Sequence, residues 1–202
     1  MVKHIDLVNI KEPLKIVSNR IQNTLKNMTQ EKDNMTKIYY ATNISTTGES
    51  VDSIRIANNL RQLGYEVYAA AENKSINDKS NDPTPDDIYD GDIPEIKDAD
   101  IVVVNITGGL QDGTMTEVGF VTGYNEAHEE NVNNKNIKLL GFTTSTRLLQ
   151  PQYHKGMASA SASALALGMI ERHGTFVGNE RNLYEYLSKE NNYESHRIQT
   201  TI

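Results

Sequence analysis

The sequence of 202 residues predicts an α/β domain: a parallel sheet of about five strands with helices on both faces. Two observations carry this. From Lys37 onward, short β-rich runs alternate with stretches of helical period, and the run "DIVVVNI" is apolar on both of its faces. A strand apolar on both faces belongs in the middle of a sheet covered by helices on each side.

Taken in order, the chain begins with an amphipathic segment. Leu14, Val17, Ile21, Leu25 and Met28 recur at three and four after Pro13, which suits the first helical position. The polar run "TQEKDNMT" then separates this segment from "KIYYATN". Residues 1–36 are therefore read as an N-terminal helical arm and linker, and residues 37–202 as the main domain. An ordinary first helix of the core remains the alternative for the arm. Strands are expected at Lys37–Thr42, Glu66–Ala71, Asp100–Ile106, Ile137–Phe142 and Thr175–Val177. Helices are expected at Ser50–Leu63, Ile93–Lys97, Thr114–His128, Met157–Glu171 and Glu180–Glu190. The resulting sheet is flavodoxin-like or Rossmann-like, and sheets of this kind bind ligands beyond the carboxyl ends of their strands. The turn-rich stretch Glu72–Asp87 has no hydrophobic period and reads as a long loop covering a site. The small-residue run "MASASASALALG" reads as a helix packed close against another.

Composition narrows the function. The net charge of -7 and the pI near 5.2 argue against nucleic acid or an anionic membrane as partner, since binding phosphates takes clustered Lys and Arg. A small-molecule ligand is expected instead. The absence of cysteine excludes disulfides and thiolate chemistry and permits a reducing cytoplasm. With no signal-peptide core and no apolar run of membrane-spanning length, the chain reads as cytoplasmic. The five histidines show no metal-ligand spacing, and no phosphate-loop motif accompanies Gly108-Gly109.

Chemistry concentrates after the third strand, in "QDGTMTEVGF". Thr114-x-x-Glu117 fits a capping box, with threonine accepting from an early helix amide and glutamate reaching back to the cap. The same place is the sheet's carboxyl edge, where a helix amino end would keep Glu117 ionised. Asp112 would project into that cleft, and Gly113 and Gly119 would admit close backbone approach. In "DDIYDGDIPEIKDAD", Asp92 falls near the start of the short helix leading into the third strand, where it could overhang the cleft. A solvated helix face is the competing reading of these acids.

Together "KIYYAT", "GDIPEIKDADIVVVN" and "DGTMTEVGF" resemble the nucleoside 2-deoxyribosyltransferase family, over Lys37 to Tyr124 with a weaker echo from Met157 to Leu187. The resemblance implies transfer of 2-deoxyribose between nucleobases through a covalent sugar on a glutamate. Glu117 matches the nucleophile, Tyr39 the tyrosine that orients it, Asp92 the acid that protonates the leaving base, and Asp112 the residue that holds the sugar hydroxyls. Gly113 adjoins the sugar position. The physics of N-glycoside cleavage agrees, because one carboxylate beside the anomeric carbon and one proton donor beside the base divide the work. On these roles Glu117 stays charged, and Asp92, desolvated near the base, has its pKa raised.

No metal or other cofactor is implied. The partners are a nucleoside and a free nucleobase, and the arm and small-residue helix point to a homo-oligomer. The turn "ATNISTTGES" departs from the glycine-containing, aromatic-bearing turn usual in the family, leaving Asn43, Glu72 and Asn73 as candidate readers of the base. The run Met157–Gly168 lacks the asparagine that members lend to a neighbouring site and offers only Ser159, Ser161 and Ser163. Two other functions fit the same scaffold: an N-glycoside hydrolase acting on nucleosides or nucleotides, with "TNISTTGES" as an anion cradle, and a nucleotide-binding module without turnover.

Overall fold

In the computed structural model, the described residues are 17, 18, 20–22, 26, 35–78, 80, 82–107, 111–128, 135–146, 148, 152–154, 157–159 and 162–199. The chain divides into two units, Met1–Met35 and Thr36–Ile202. The expected arm helix lies largely outside the described residues, as do Gly108-Gly109 and Lys155.

The second unit is built on a five-stranded parallel sheet in the order β2-β1-β3-β4-β7. Its strands are β1 (Lys37–Ala41), β2 (Glu66–Ala69), β3 (Ile101–Asn105), β4 (Lys138–Thr143) and β7 (Gly174–Asn179). Between β4 and β7 a small antiparallel pair intervenes, β5 (Gln152–His154) with β6 (Met157–Ser159). The helices are α1 (Thr47–Gln62), α2 (Lys74–Asn77), α3 (Pro85–Asp98), α4 (Asp112–His128), α5 (Ala164–His173) and α6 (Glu180–Gln199), with a 3-10 turn at Ala70–Glu72. This is the flavodoxin-like strand order, and its switch point lies between β1 and β3.

Every residue of β3 is buried, as its position in the middle of the sheet requires. Successive residues of β1 serve opposite faces. Ile38 and Tyr40 pack with Ile56 and Leu60 of α1 and Leu183 and Leu187 of α6. Tyr39 and Ala41 pack with Ile96 of α3, Val118 and Val121 of α4, and Ile170 of α5. Helices thus cover both faces. At Gly141 of β4, a Cβ atom would stand 3.0 Å from both Ile170 and Phe176, so glycine lets α5 settle directly on the sheet. Gly64 ends α1 at φ +92, a conformation that other residues rarely adopt.

Three expectations are corrected. The helix before β3 runs from Pro85 rather than Ile93, because Thr84 and Asp87 form a complete capping box with Pro85 in the first turn. Pro94 lies inside it without ending it. The stretch Glu72–Asp87 is consequently not one long loop, since it contains α2 and the first residues of α3. The helix expected from Met157 starts at Ala164, where Ser163 caps it, and Met157–Ser159 pairs as a strand. Among the described residues no helix is long and apolar enough to cross a membrane.

Candidate active site

Beyond the carboxyl ends of β1, β2 and β3 lies a cleft of about 220 Å3. Asn43 and Ser45 line it after β1, Asn77 after β2, Ile88 and Asp92 from α3, and Asp112, Gly113 and Glu117 from α4. Both the switch-point rule and the chain's own carboxylates therefore lead to one place.

The register of α4 decides how Glu117 is presented. Gln111 provides the carbonyl that accepts from the Met115 amide at 2.9 Å, so the helix begins at Asp112, ahead of the expected start at Thr114. The Gln111 side chain closes the preceding turn, donating to the Asn105 carbonyl at 3.1 Å and accepting from the Thr107 amide at 3.0 Å. Thr114 is then an internal, buried helix residue rather than a cap. Glu117 sits a turn further along and accepts a hydrogen bond from the Tyr39 hydroxyl at 2.6 Å. The capping-box reading of Thr114-x-x-Glu117 is overturned by this geometry.

Glu117 is enclosed by protein except toward the cleft, and burial pushes its carboxyl up to about 7. The Tyr39 hydrogen bond pulls it down and the nearby Asp92 charge adds to the rise. The expectation that a helix amino end keeps this group fully ionised is thus corrected. Beyond the first turn the helix field fades, and desolvation prevails. Tyr39 is completely buried, and burial, with Glu117 beside it, holds its hydroxyl far above the ordinary tyrosine range, so it remains a donor.

Asp92 projects from the middle of α3 rather than from its start. Burial raises its pKa, and a hydrogen bond from the Tyr68 hydroxyl at 2.8 Å opposes the rise. Asp112 is exposed at the first turn of α4, on the cleft rim. Among the described residues, apart from its chain neighbours and the backbone of its own helix, nothing lies within 4 Å of where a Cβ on Gly113 or Gly119 would stand; at Gly113 that open space borders the cleft.

The three candidate base readers separate. Asn43 lines the cleft, donating to Glu49 at 2.8 Å and accepting from Ser45. Glu72 is bound by both terminal nitrogens of Arg61, at 2.9 and 2.5 Å, and stands outside the cleft lining. Arg61 in the last turn of α1 claims it, which corrects the expectation. Asn73 also stands outside, accepting from Ser75 to cap α2 while its amide donates to Tyr68 at 3.0 Å. At the amino end of α1, Glu49 closes a capping box with Thr46. The proposed anion cradle is filled by the chain's own carboxylate. Two further residues serve the site, Tyr68 through its bond to Asp92 and Gln111 in the turn before α4, and neither belongs to a local motif. The signal for Tyr68 is its register, since it pairs with Tyr39 across β1 and β2.

The described lining residues include three acids and no Lys, Arg or His. Among the described residues no cluster of His, Asp and Glu is placed to hold a metal ion. A partly desolvated carboxylate, a second carboxyl with raised pKa and a permanent phenol donor form a set suited to displacing a leaving group at a sugar carbon.

Comparison with known proteins bears on this set. No curated protein sequence matches the chain. Among solved structures, a conserved protein from Enterococcus faecalis V583 is 22% identical, with a TM-score of 0.62 covering 77% of this chain and 99% of that one. A 2-deoxyribosyltransferase from Bacillus psychrosaccharolyticus is 18% identical, with a TM-score of 0.50 covering 74% of this chain and 90% of that one. These likenesses establish the fold. The sequence profile described as nucleoside 2-deoxyribosyltransferase matches residues 38–150, which takes in β1 to β4 and each carboxylate of the cleft, and so the chain belongs to the nucleoside 2-deoxyribosyltransferase family.

Proposed function

We propose that the protein transfers 2-deoxyribose from one nucleobase to another through a covalent deoxyribosyl intermediate on Glu117. The observation that carries this is the Glu117 carboxyl, anchored by Tyr39 at 2.6 Å and open to a cleft that Asp92 and Asp112 also line. With a pKa of about 7, a substantial fraction of Glu117 is ionised at neutral pH and available as a nucleophile.

In the first half-reaction a Glu117 oxygen forms a bond to the anomeric carbon while the N-glycosidic bond breaks. Its electron pair goes to the departing base nitrogen, which takes the proton of the Asp92 carboxyl. In the second, a nitrogen of the acceptor base attacks the same carbon and Glu117 leaves as a carboxylate. The acceptor's proton passes to Asp92, restoring the starting state. Asp112 is assigned the sugar hydroxyls from the cleft rim. The acidic lining and the occupied amino end of α1 favour an uncharged nucleoside over a nucleotide, whose phosphate would meet carboxylates and no cation among the described lining residues.

The test is incubation with a deoxynucleoside donor and a free acceptor base. The swapped nucleoside should appear, and mass spectrometry of the protein mixed with donor alone should find a deoxyribosyl group on the peptide holding Glu117. Free base and free sugar forming at the same rate with and without acceptor would make the protein a hydrolase. No turnover with any purine or pyrimidine donor would leave only binding.

A further inference from the structure

We propose that Tyr68 is a positioning residue for Asp92, holding one carboxyl oxygen so that the other delivers the proton to the departing base. This rests on the reading of Asp92 given above. The cleft is served by two tyrosines rather than one. Tyr39 and Tyr68 are register partners in adjacent parallel strands, and their rings stack with centroids 5.3 Å apart and planes inclined by 20°. Each phenol donates to a different carboxylate, Tyr39 to Glu117 at 2.6 Å and Tyr68 to Asp92 at 2.8 Å.

The direction of the second bond is fixed from behind. The Asn73 carbonyl oxygen is engaged by the amide and hydroxyl of Ser75, which turns its NH2 toward the Tyr68 oxygen at 3.0 Å. An amide nitrogen can only donate, so the Tyr68 oxygen accepts there and its own hydrogen is left for Asp92 Oδ1. A proton carried by Asp92 therefore sits on the other oxygen. Tyr68 forms no part of the cleft lining and acts through Asp92 alone.

The bond has a chemical consequence. A buried acid that gives up its proton leaves a buried anion, and a hydrogen bond to that anion lowers the cost of forming it. Tyr68 thus offsets the burial that otherwise makes Asp92 a reluctant donor. Glu117 and Asp112 share the cleft with Asp92 from α4, Tyr39 stands beside Tyr68 on β1, and Glu95 faces Tyr68 from α3. The phenol is the group among these that donates to Asp92.

The experiment compares two donors in wild type and Tyr68→Phe, a change that keeps the ring and its stack. With an ordinary deoxynucleoside and no acceptor, the single-turnover rate of base release, which reads the first half-reaction alone, should fall about 10- to 100-fold with little change in the half-saturating donor concentration. With an N7-methylated purine 2-deoxyriboside, whose base departs as a neutral molecule without a proton, the two proteins should differ less than about two-fold. Equal losses on both donors, or none on either, would overturn the assignment while leaving the proposed reaction standing. A wild type inert toward both donors would overturn the proposed reaction, and this role with it. A measurement free of turnover runs alongside: carboxyl NMR titration of the free protein should show the Asp92 midpoint moving up in Tyr68→Phe, and an unmoved midpoint contradicts the assignment.

Discussion

Tyr39 and Tyr40 are consecutive residues of one strand, 0% and 1% exposed, and they have opposite surroundings. Tyr40 faces α1 and α6, stacks near Phe142, and receives a 3.3 Å hydrogen bond from the Asn105 amide. Tyr39 faces α3 and α4, stacks on Tyr68, and donates to a partly buried carboxylate on the cleft wall. Both hydroxyls are satisfied, as buried polar groups must be. The difference lies in the partner: a neutral amide asks nothing further of the fold, whereas a partly desolvated carboxylate destabilises it and points to a functional role. One face of the sheet is organised for stability and the other holds a group that stability alone would not favour.

The sharpest break of this comparison is Glu117→Gln. It keeps the shape and an oxygen for Tyr39 but cannot form an ester to the sugar. Transfer activity should fall at least about a thousandfold and no sugar-bearing Glu117 peptide should form. Retained activity would remove Glu117 from the chemistry. Tyr39→Phe comes next, with kcat/KM down about 10- to 100-fold. Because the reaction needs ionised Glu117, wild-type kcat/KM should decline as pH falls through about 7. The Tyr39 bond favours the charged form, so removing it should move that limb to higher pH. A limb that stays in place would mean that Tyr39 does not govern the carboxyl.

Stability supplies a third test on the same residue. The Glu117 pKa is raised in the folded state, so its favourable contribution is complete below the unfolded value of 4.5 and is lost as pH rises through about 7. Above that, wild type carries an enclosed charge that glutamine does not. Glu117→Gln should therefore be more stable than wild type at pH 8, on the order of 2 kcal/mol by denaturant unfolding, with the gap closing toward pH 4.5. A variant less stable than wild type at pH 8 would show that the carboxylate is better solvated than its setting indicates.

How far these features could be read in advance depends on the range of the interactions that set them. The strands were legible because apolar runs such as "IVVVN" carry their burial in their own composition. The start of α3 was written in Thr84-Pro85-Asp86-Asp87, a cap and a helix-initiating proline, yet Gly91 and Pro94 obscured the continuity that tertiary packing of Ile96 restores. The sequence therefore places Asp92 on this element but not at its position in the middle of the helix. The pairing of Glu72 with Arg61 is not legible in the sequence, because Arg61 lies on a helix that precedes β2 and nothing local announces the pair. Tyr68 needed the register of β1 on β2, which fixes Tyr39 opposite Tyr68 and is not contained in either strand separately. Thr114-x-x-Glu117 met the capping pattern, but Gln111 already closes the turn and moves the helix start ahead of it.

Tyr40→Phe is the smallest expected effect and the counterpart to Tyr39→Phe. Only the hydroxyl is lost, the ring still fills the space beside Phe142, and Asn105 keeps the Thr144 hydroxyl as a second partner at 3.3 Å. The hydroxyl's hydrogen bonds, to Asn105 at 3.3 Å and to the Thr42 side chain, join neutral groups, so their removal should cost about 0.5–1.5 kcal/mol of unfolding free energy and leave kcat and KM within about two-fold of wild type. The paired variants thus test the division of labour across one strand: Tyr39→Phe should move the pH limb and the rate, Tyr40→Phe the denaturation midpoint alone. A rate loss in Tyr40→Phe matching that of Tyr39→Phe would show that the face packed by α1 and α6 also shapes the cleft, through Asn105 and the turn that Gln111 closes onto its carbonyl.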